Sequence, residues 1–180
     1  MATSRVKSKT SKTKNRNNGH SVSGFFKSTG IILLPLVIGM IASFFTFGAQ
    51  ENFGTFRQPP LAPPAWLFPV AWSILYLMMG VASYLVYRVK AKTWKERRFK
   101  VTELVIFYVQ LIFNFAWTLL FFNANVKYFA FGWLIFMWLM ILSFIIMAFK
   151  NCKAAAWLMI PYILWCTFAA YLNISIAILN

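Results

Sequence analysis

This chain has 180 residues, is 61% hydrophobic, has a mean hydropathy of +0.66 and carries only three carboxylates, Glu51, Glu96 and Glu103. A water-soluble domain of this size needs far more polar surface, so the composition indicates a single-domain integral membrane protein. The formal net charge of +15 resembles a nucleic-acid footprint, but sixteen of the eighteen basic residues lie in three segments that border apolar runs, so no nucleic-acid partner is expected.

Residues 1–24 are rich in Lys, Ser, Thr and Asn. They offer too little apolar surface to fold alone and read as a disordered basic tail. The apolar run after the tail is longer than a signal-peptide core, which argues for a retained membrane anchor. Five apolar runs follow, at about 30–49, 66–87, 104–122, 128–149 and 154–178, each near the ~20 residues that span a bilayer. The predicted fold is therefore all-α, a five-helix transmembrane bundle over residues 25–180. Pro35 and Gly39 fall in the first span, and Pro161 in the fifth should bend it. The tail, the connection from Arg88 to Lys100 and the turn at Lys150–Lys153 fall on one face, which the positive-inside rule makes cytoplasmic. The N-terminus is then cytoplasmic and the C-terminus outside.

Between the first two spans, Pro59, Pro60, Pro63 and Pro64 cluster just before Trp66. Prolines at this density exclude a helix interior and stiffen the connection. Such a loop can pack down as a lid over a cavity between helices.

Three spans carry inward-facing polar or aromatic residues. Gln110, Asn114 and Thr118 recur at i, i+4 and i+8 in the third, with Trp117 on the flank of the same face. Amides in hydrocarbon cost free energy unless paired, so this stripe must face the bundle interior. It can serve as interhelical hydrogen bonding or as the polar anchor of a ligand cavity. Trp72, Tyr76, Met79 and Ser83 align on the second span; Trp165, Ala169, Leu172 and Asn173 align on the fifth. Aromatic rings with a few amides suit a large flat ligand, although core packing uses the same residues. Trp94, Trp133 and Trp157 read as interfacial belts or lipid-facing residues. Gly39 and Ser43, four apart, permit close helix packing.

The pattern resembles the translocator protein, or tryptophan-rich sensory protein, family. The residues that carry the resemblance are Pro63-Pro64, Phe68-Pro69-Val70-Ala71-Trp72, Gln110-Leu111, Asn114, Trp117-Thr118, Pro161-Tyr162, Trp165 and Leu172-Asn173. The resemblance covers about residues 30–180 and implies a five-helix bundle, often a homodimer, that binds porphyrins and other hydrophobic ligands under its first loop. Eukaryotic members also bind sterols. Trp72, Asn114, Trp165 and Ala169 match the family's cavity positions; Gln110 and Trp117 match pattern residues that line or support it. Phe53 falls at the family's loop Trp-Tyr pair, where this chain has Asn52-Phe53. That loop tryptophan is linked to porphyrin breakdown in the family. The candidate ligand-binding set is thus Trp72, Tyr76, Gln110, Asn114, Trp117, Trp165, Ala169 and Phe53, with Tyr76 added from its alignment with Trp72.

The expected function is a sensor or carrier that holds a porphyrin, another tetrapyrrole or a similar hydrophobic ligand, alongside membrane lipids. A light- and oxygen-dependent porphyrin-degrading enzyme would rely on Trp165. A facilitated transporter of hydrophobic ligands needs no intramembrane charge, and no span centre carries one. A docking role for the basic tail is a fourth reading. No covalent cofactor, metal cluster, hydrolase triad or phosphate-binding loop is expected, and the sole histidine, His20, lies in the tail.

Overall fold

The computed structural model describes residues 17–51, 56–124 and 126–180, with side chains described for 24–46, 56–124 and 126–180. Five helices form among them: α1 (Asn17–Glu51), α2 (Leu67–Arg88), α3 (Trp94–Phe122), α4 (Lys127–Asn151) and α5 (Lys153–Leu179). Each contains a stretch long and apolar enough to cross a membrane. The chain is an integral, multi-pass membrane protein. Backbone groups in hydrocarbon must be satisfied internally, which long helices achieve by themselves.

Two helices begin earlier than the sequence reading placed them. α1 takes in 17–24, which that reading left in the unfolded tail; residues 1–16 lie outside the described residues. Once an apolar span is anchored, extending it adds one bond per residue without a new nucleation cost. α3 starts at Trp94 rather than at 104 because a capping box launches it. The Thr93 hydroxyl accepts from the Glu96 amide at 3.2 Å, while the Glu96 carboxylate accepts from the amides of Lys92 and Thr93. α5 runs without a break through Pro161.

Neighbouring helices pack in the cyclic order α1–α2–α5–α4–α3, and α2 also touches α3 across the ring. One end of the bundle holds the basic connections Arg88–Lys100 and Lys150–Lys153. The other, the loop end, holds the α1–α2 loop, the α3–α4 turn and the end of α5. Two close contacts pin the basic half. Glu103, placed by the sequence at the edge of its span, is fully buried and accepts a 2.8 Å hydrogen bond from the Asn151 side-chain amide, tying α3 to the end of α4. The backbone of α1 lies against Gly80 of α2, where a Cβ would stand 1.9 Å from the Ile32 carbonyl oxygen. That oxygen is main chain and cannot rotate away.

Gly80→Ala should therefore force α1 and α2 apart and destabilise the bundle by about 1–3 kcal/mol. Thermal unfolding in detergent reads this as a lowered midpoint; an unchanged midpoint would show that the two backbones do not approach this closely.

Candidate functional site

A cavity of about 270 Å³ opens at the loop end among α1, α2, α3 and α5. Its two sides differ in chemistry. Trp72 and Tyr76 of α2, with Trp117, Phe121 and Phe122 of α3, form an aromatic wall. Leu36, Gly39, Met40, Ala42 and Ser43 of α1, with Ala169, Leu172 and Asn173 of α5, supply a less aromatic part of the lining that includes several small residues. Ala65, Phe68 and Pro69, where the proline loop enters α2, complete the lining. Helical spacing explains the aromatic side, since i and i+4 fall on one face.

Among the described residues, no charged side chain lines the cavity. Two of its hydroxyls are spent on helix carbonyls, Ser73 on Pro69 at 2.8 Å and Thr118 on Asn114 at 3.1 Å. What remains is a mostly apolar slot.

Behind the aromatic wall runs a buried chain of hydrogen bonds. Tyr76 Oη donates to Asn114 Oδ1. Asn114 Nδ2 donates to Tyr162 Oη at 3.1 Å, and Tyr162 Oη donates to Gln110 Oε1 at 2.9 Å. The chain joins α2, α3 and α5, and all four side chains are buried. A second chain runs nearer the loop end: Trp117 Nε1 donates to Asn173 Oδ1 at 3.2 Å, and Asn173 Nδ2 donates to the Lys127 carbonyl at 2.8 Å. Trp72 stacks on Tyr76 at 5.4 Å between centroids and meets Trp117 and Tyr162 at 6.3 Å each and Trp165 at 6.5 Å.

The sequence-predicted residues thus divide. Trp72, Tyr76, Trp117 and Ala169 line the cavity. Asn114 and Gln110 do not; their side-chain oxygens are taken by the tyrosine hydroxyls, and they brace the wall from behind. Trp165 also stands outside the lining, packed edge-on against Phe68 and Trp72. Its indole N–H is buried and finds no acceptor among the described residues. Phe53 lies outside the described residues.

Sequence reasoning missed the α1 wall. Gly39 reads as a helix-packing residue, and within this chain it faces Tyr76: a Cβ there would lie 2.2 Å from the Tyr76 ring. It did not pick out Tyr162 as the hub of the buried network, although Tyr162 lies three residues before Trp165 and seven before Ala169, on the same face of α5. It also missed what fastens the loop. Pro59 to Ala62 form a turn closed by a 3.2 Å backbone bond, with Leu61 at φ 68°, a conformation that glycine tolerates best. Tyr171 Oη donates to the Pro60 carbonyl at 2.7 Å. The Asn180 side chain accepts from the Arg57 amide at 2.9 Å and donates to the Arg57 carbonyl at 3.3 Å. Lys127 Nζ sits 4.3 Å from the centre of the Phe56 ring.

Residues 31–179 match the model of the TspO/MBR family. Among similar proteins, the tryptophan-rich protein TspO of Chlorobaculum tepidum is 34% identical over 148 residues, 82% of this chain and 91% of that protein. The tryptophan-rich protein TspO of Archaeoglobus fulgidus is 33% identical over 155 residues, covering 86% and 97% of the two chains. The translocator protein of Ovis aries is 31% identical over 147 residues, covering 81% and 85%.

The buried chain makes Tyr76 and Asn114 energetically coupled. Tyr76→Phe should cost about 0.6–1.7 kcal/mol, the range of interhelical hydrogen bonds in membranes, by leaving Asn114 Oδ1 buried without a donor. Asn114→Leu should also destabilise. A double-mutant cycle by thermal unfolding should show the two costs to be clearly less than additive; strict additivity would mean that the bond contributes nothing in the membrane.

Proposed function

The chain belongs to the TspO/MBR family, and on that premise we propose that it binds a flat, largely apolar ligand, a porphyrin or related tetrapyrrole, in the cavity at the loop end. The observation that carries this reading is the cavity itself: aromatic rings of α2 and α3 share the lining with small residues of α1 and α5, and among the described residues no charged side chain joins them. A planar ring can stack on Trp72, and the small side chains of Ala42, Ser43 and Ala169 leave room beside it.

The cavity is just under the ~300–1,000 Å³ typical of small-molecule sites. A macrocycle larger than the slot enters only if the proline loop lifts, so the ties at Tyr171, Asn180 and Lys127 set how the site opens. In this reading the loop is a lid. With the basic end cytoplasmic, as the positive-inside rule requires, the lid faces outward. A protein of this design acts as a sensor or carrier: binding needs no chemistry, and lid motion reports or releases the ligand. Large apolar residues on the outer faces, such as Phe44, Ile112 and Phe136, meet lipid.

The first test is quenching of tryptophan fluorescence by protoporphyrin IX in the dark. Saturable quenching is expected. Trp72→Ala and Gly39→Ala, the first removing the stacking ring and the second pressing on Tyr76, should each weaken it about tenfold or more. Tyr171→Phe, which removes one of the ties between the loop and the α5 end, should speed association. Absence of saturable quenching in the parent protein would overturn the reading. Illumination of the complex then separates a binder from a degrading enzyme: loss of the porphyrin spectrum beyond a protein-free control, abolished in Trp165→Phe, is the signature of the enzyme.

A further inference from the structure

The basic end carries a charged surface that the cavity does not use. From Arg88 to Arg98, six of eleven residues are basic: Arg88, Lys90, Lys92, Lys95, Arg97 and Arg98. All six side chains are exposed. The connection that carries them is braced. Lys100, half-buried on α3, donates from Nζ to the Val89 carbonyl at 2.9 Å and to the Tyr87 carbonyl at 3.4 Å, which holds the end of α2 against α3. The capping box at Thr93 and Glu96 fixes the turn into α3.

The acids at this end are engaged elsewhere. Glu96, the one acid in the stretch, is occupied by the amides of Lys92 and Thr93. Glu103 is fully buried and bonded to Asn151. Cations at this density repel one another unless an anion lies among them. The neighbouring surface indicates which anion. Trp94 is 73% exposed and Trp157 is 64% exposed, and the Arg98 guanidinium lies over the Trp94 ring at 5.5 Å. Exposed indoles settle at headgroup level, between hydrocarbon and water. α3 has 29 residues, a length of about 43 Å against ~30 Å of hydrocarbon. Its far end is apolar through Phe122, so the excess falls at its start. The turns that carry Trp94, Lys95, Arg97 and Arg98 therefore stand in the headgroup layer, where the abundant anion is a lipid phosphate.

We propose that the α2–α3 connection and the first turns of α3 form a surface that binds the headgroups of anionic phospholipids in the leaflet that the basic end faces. The guanidinium groups of Arg97 and Arg98 suit bidentate contact with phosphate, and the lysines add point charge. The positive-inside rule orients the chain in any bilayer; this surface goes further and selects among lipids. A nucleic acid or an acidic soluble protein would meet the cations but leave Trp94 and Trp157 without an apolar partner. The surface lies at the opposite end from the cavity and stands whatever the cavity holds.

The test mixes the full chain in neutral detergent with phosphatidylglycerol or with phosphatidylcholine of the same acyl chains, and counts bound lipid by native mass spectrometry. Both lipids carry a phosphate, but only the first has a net charge. The parent protein should hold phosphatidylglycerol about tenfold more tightly, and the preference should shrink as ammonium acetate is raised. Lys92→Gln, Lys95→Gln, Arg97→Gln and Arg98→Gln combined should cut it to about twofold or less and leave phosphatidylcholine binding and the thermal midpoint unchanged. Removing as many charges from the tail, by Lys7→Gln, Lys9→Gln, Lys12→Gln and Lys14→Gln, should leave most of the preference in place. A parent protein that holds both lipids equally overturns the proposal, even if a short oligonucleotide binds. So does a preference that the tail variant loses and the connection variant keeps.

Discussion

Everything at the loop end depends on one requirement: polar side chains inside a lipid-embedded bundle must find partners within it. The chain from Tyr76 through Asn114 and Tyr162 to the Gln110 carbonyl oxygen goes far toward meeting that requirement and joins three helices in doing so, while the Gln110 amide nitrogen finds no partner among the described residues. It also fixes the rings. Tyr76 is held by its hydroxyl, so its face is presented to Trp72, and Trp72 in turn is surrounded by Trp117, Tyr162 and Trp165. The aromatic wall is therefore rigid because of bonds made behind it. Each such bond is worth only about 0.6 kcal/mol on average in a membrane, so its contribution is geometric more than energetic.

Close backbone approach is the complementary device. Gly80 lets α1 lie against α2, and Gly39 gives the Tyr76 ring its space. Without side chains at these two positions α1 can be near enough to wall the cavity yet leave it open. The same helix exposes Phe44 and Phe45 on its outer side. One helix thus seals the slot on one face and meets lipid on another.

Much of this was legible in the residues. The number and type of the helices followed from apolar runs of spanning length, and the inward faces of α2, α3 and α5 followed from spacing at i and i+4. Trp72, Tyr76, Trp117 and Ala169 do line the cavity. Depth was the illegible part. Asn114 and Gln110 share a stripe with Trp117, but a face of a helix is a direction, and periodicity does not say whether a side chain on it ends in a cavity or in a neighbouring tyrosine. The depth of Trp165 was illegible for the same reason: its ring packs edge-on against Phe68 and Trp72 instead of lining the cavity. The early starts of α1 and α3 escaped a reading that tied helix length to hydropathy, although Thr93 and Glu96 carried a capping signal.

The sequence by itself determined that the chain lives in a membrane, that it is helical, which end is basic and which residues look inward. Those are one-dimensional properties, set by transfer free energy and by the 3.6-residue period. Tertiary structure alone decided which inward residues meet. It put Gly39 under Tyr76, made Tyr162 the hub of the buried network, tied Pro60 to Tyr171 and set Lys127 over Phe56. These pairings join distant segments, and no local pattern encodes them because each depends on how closely two helices approach and at what rotation.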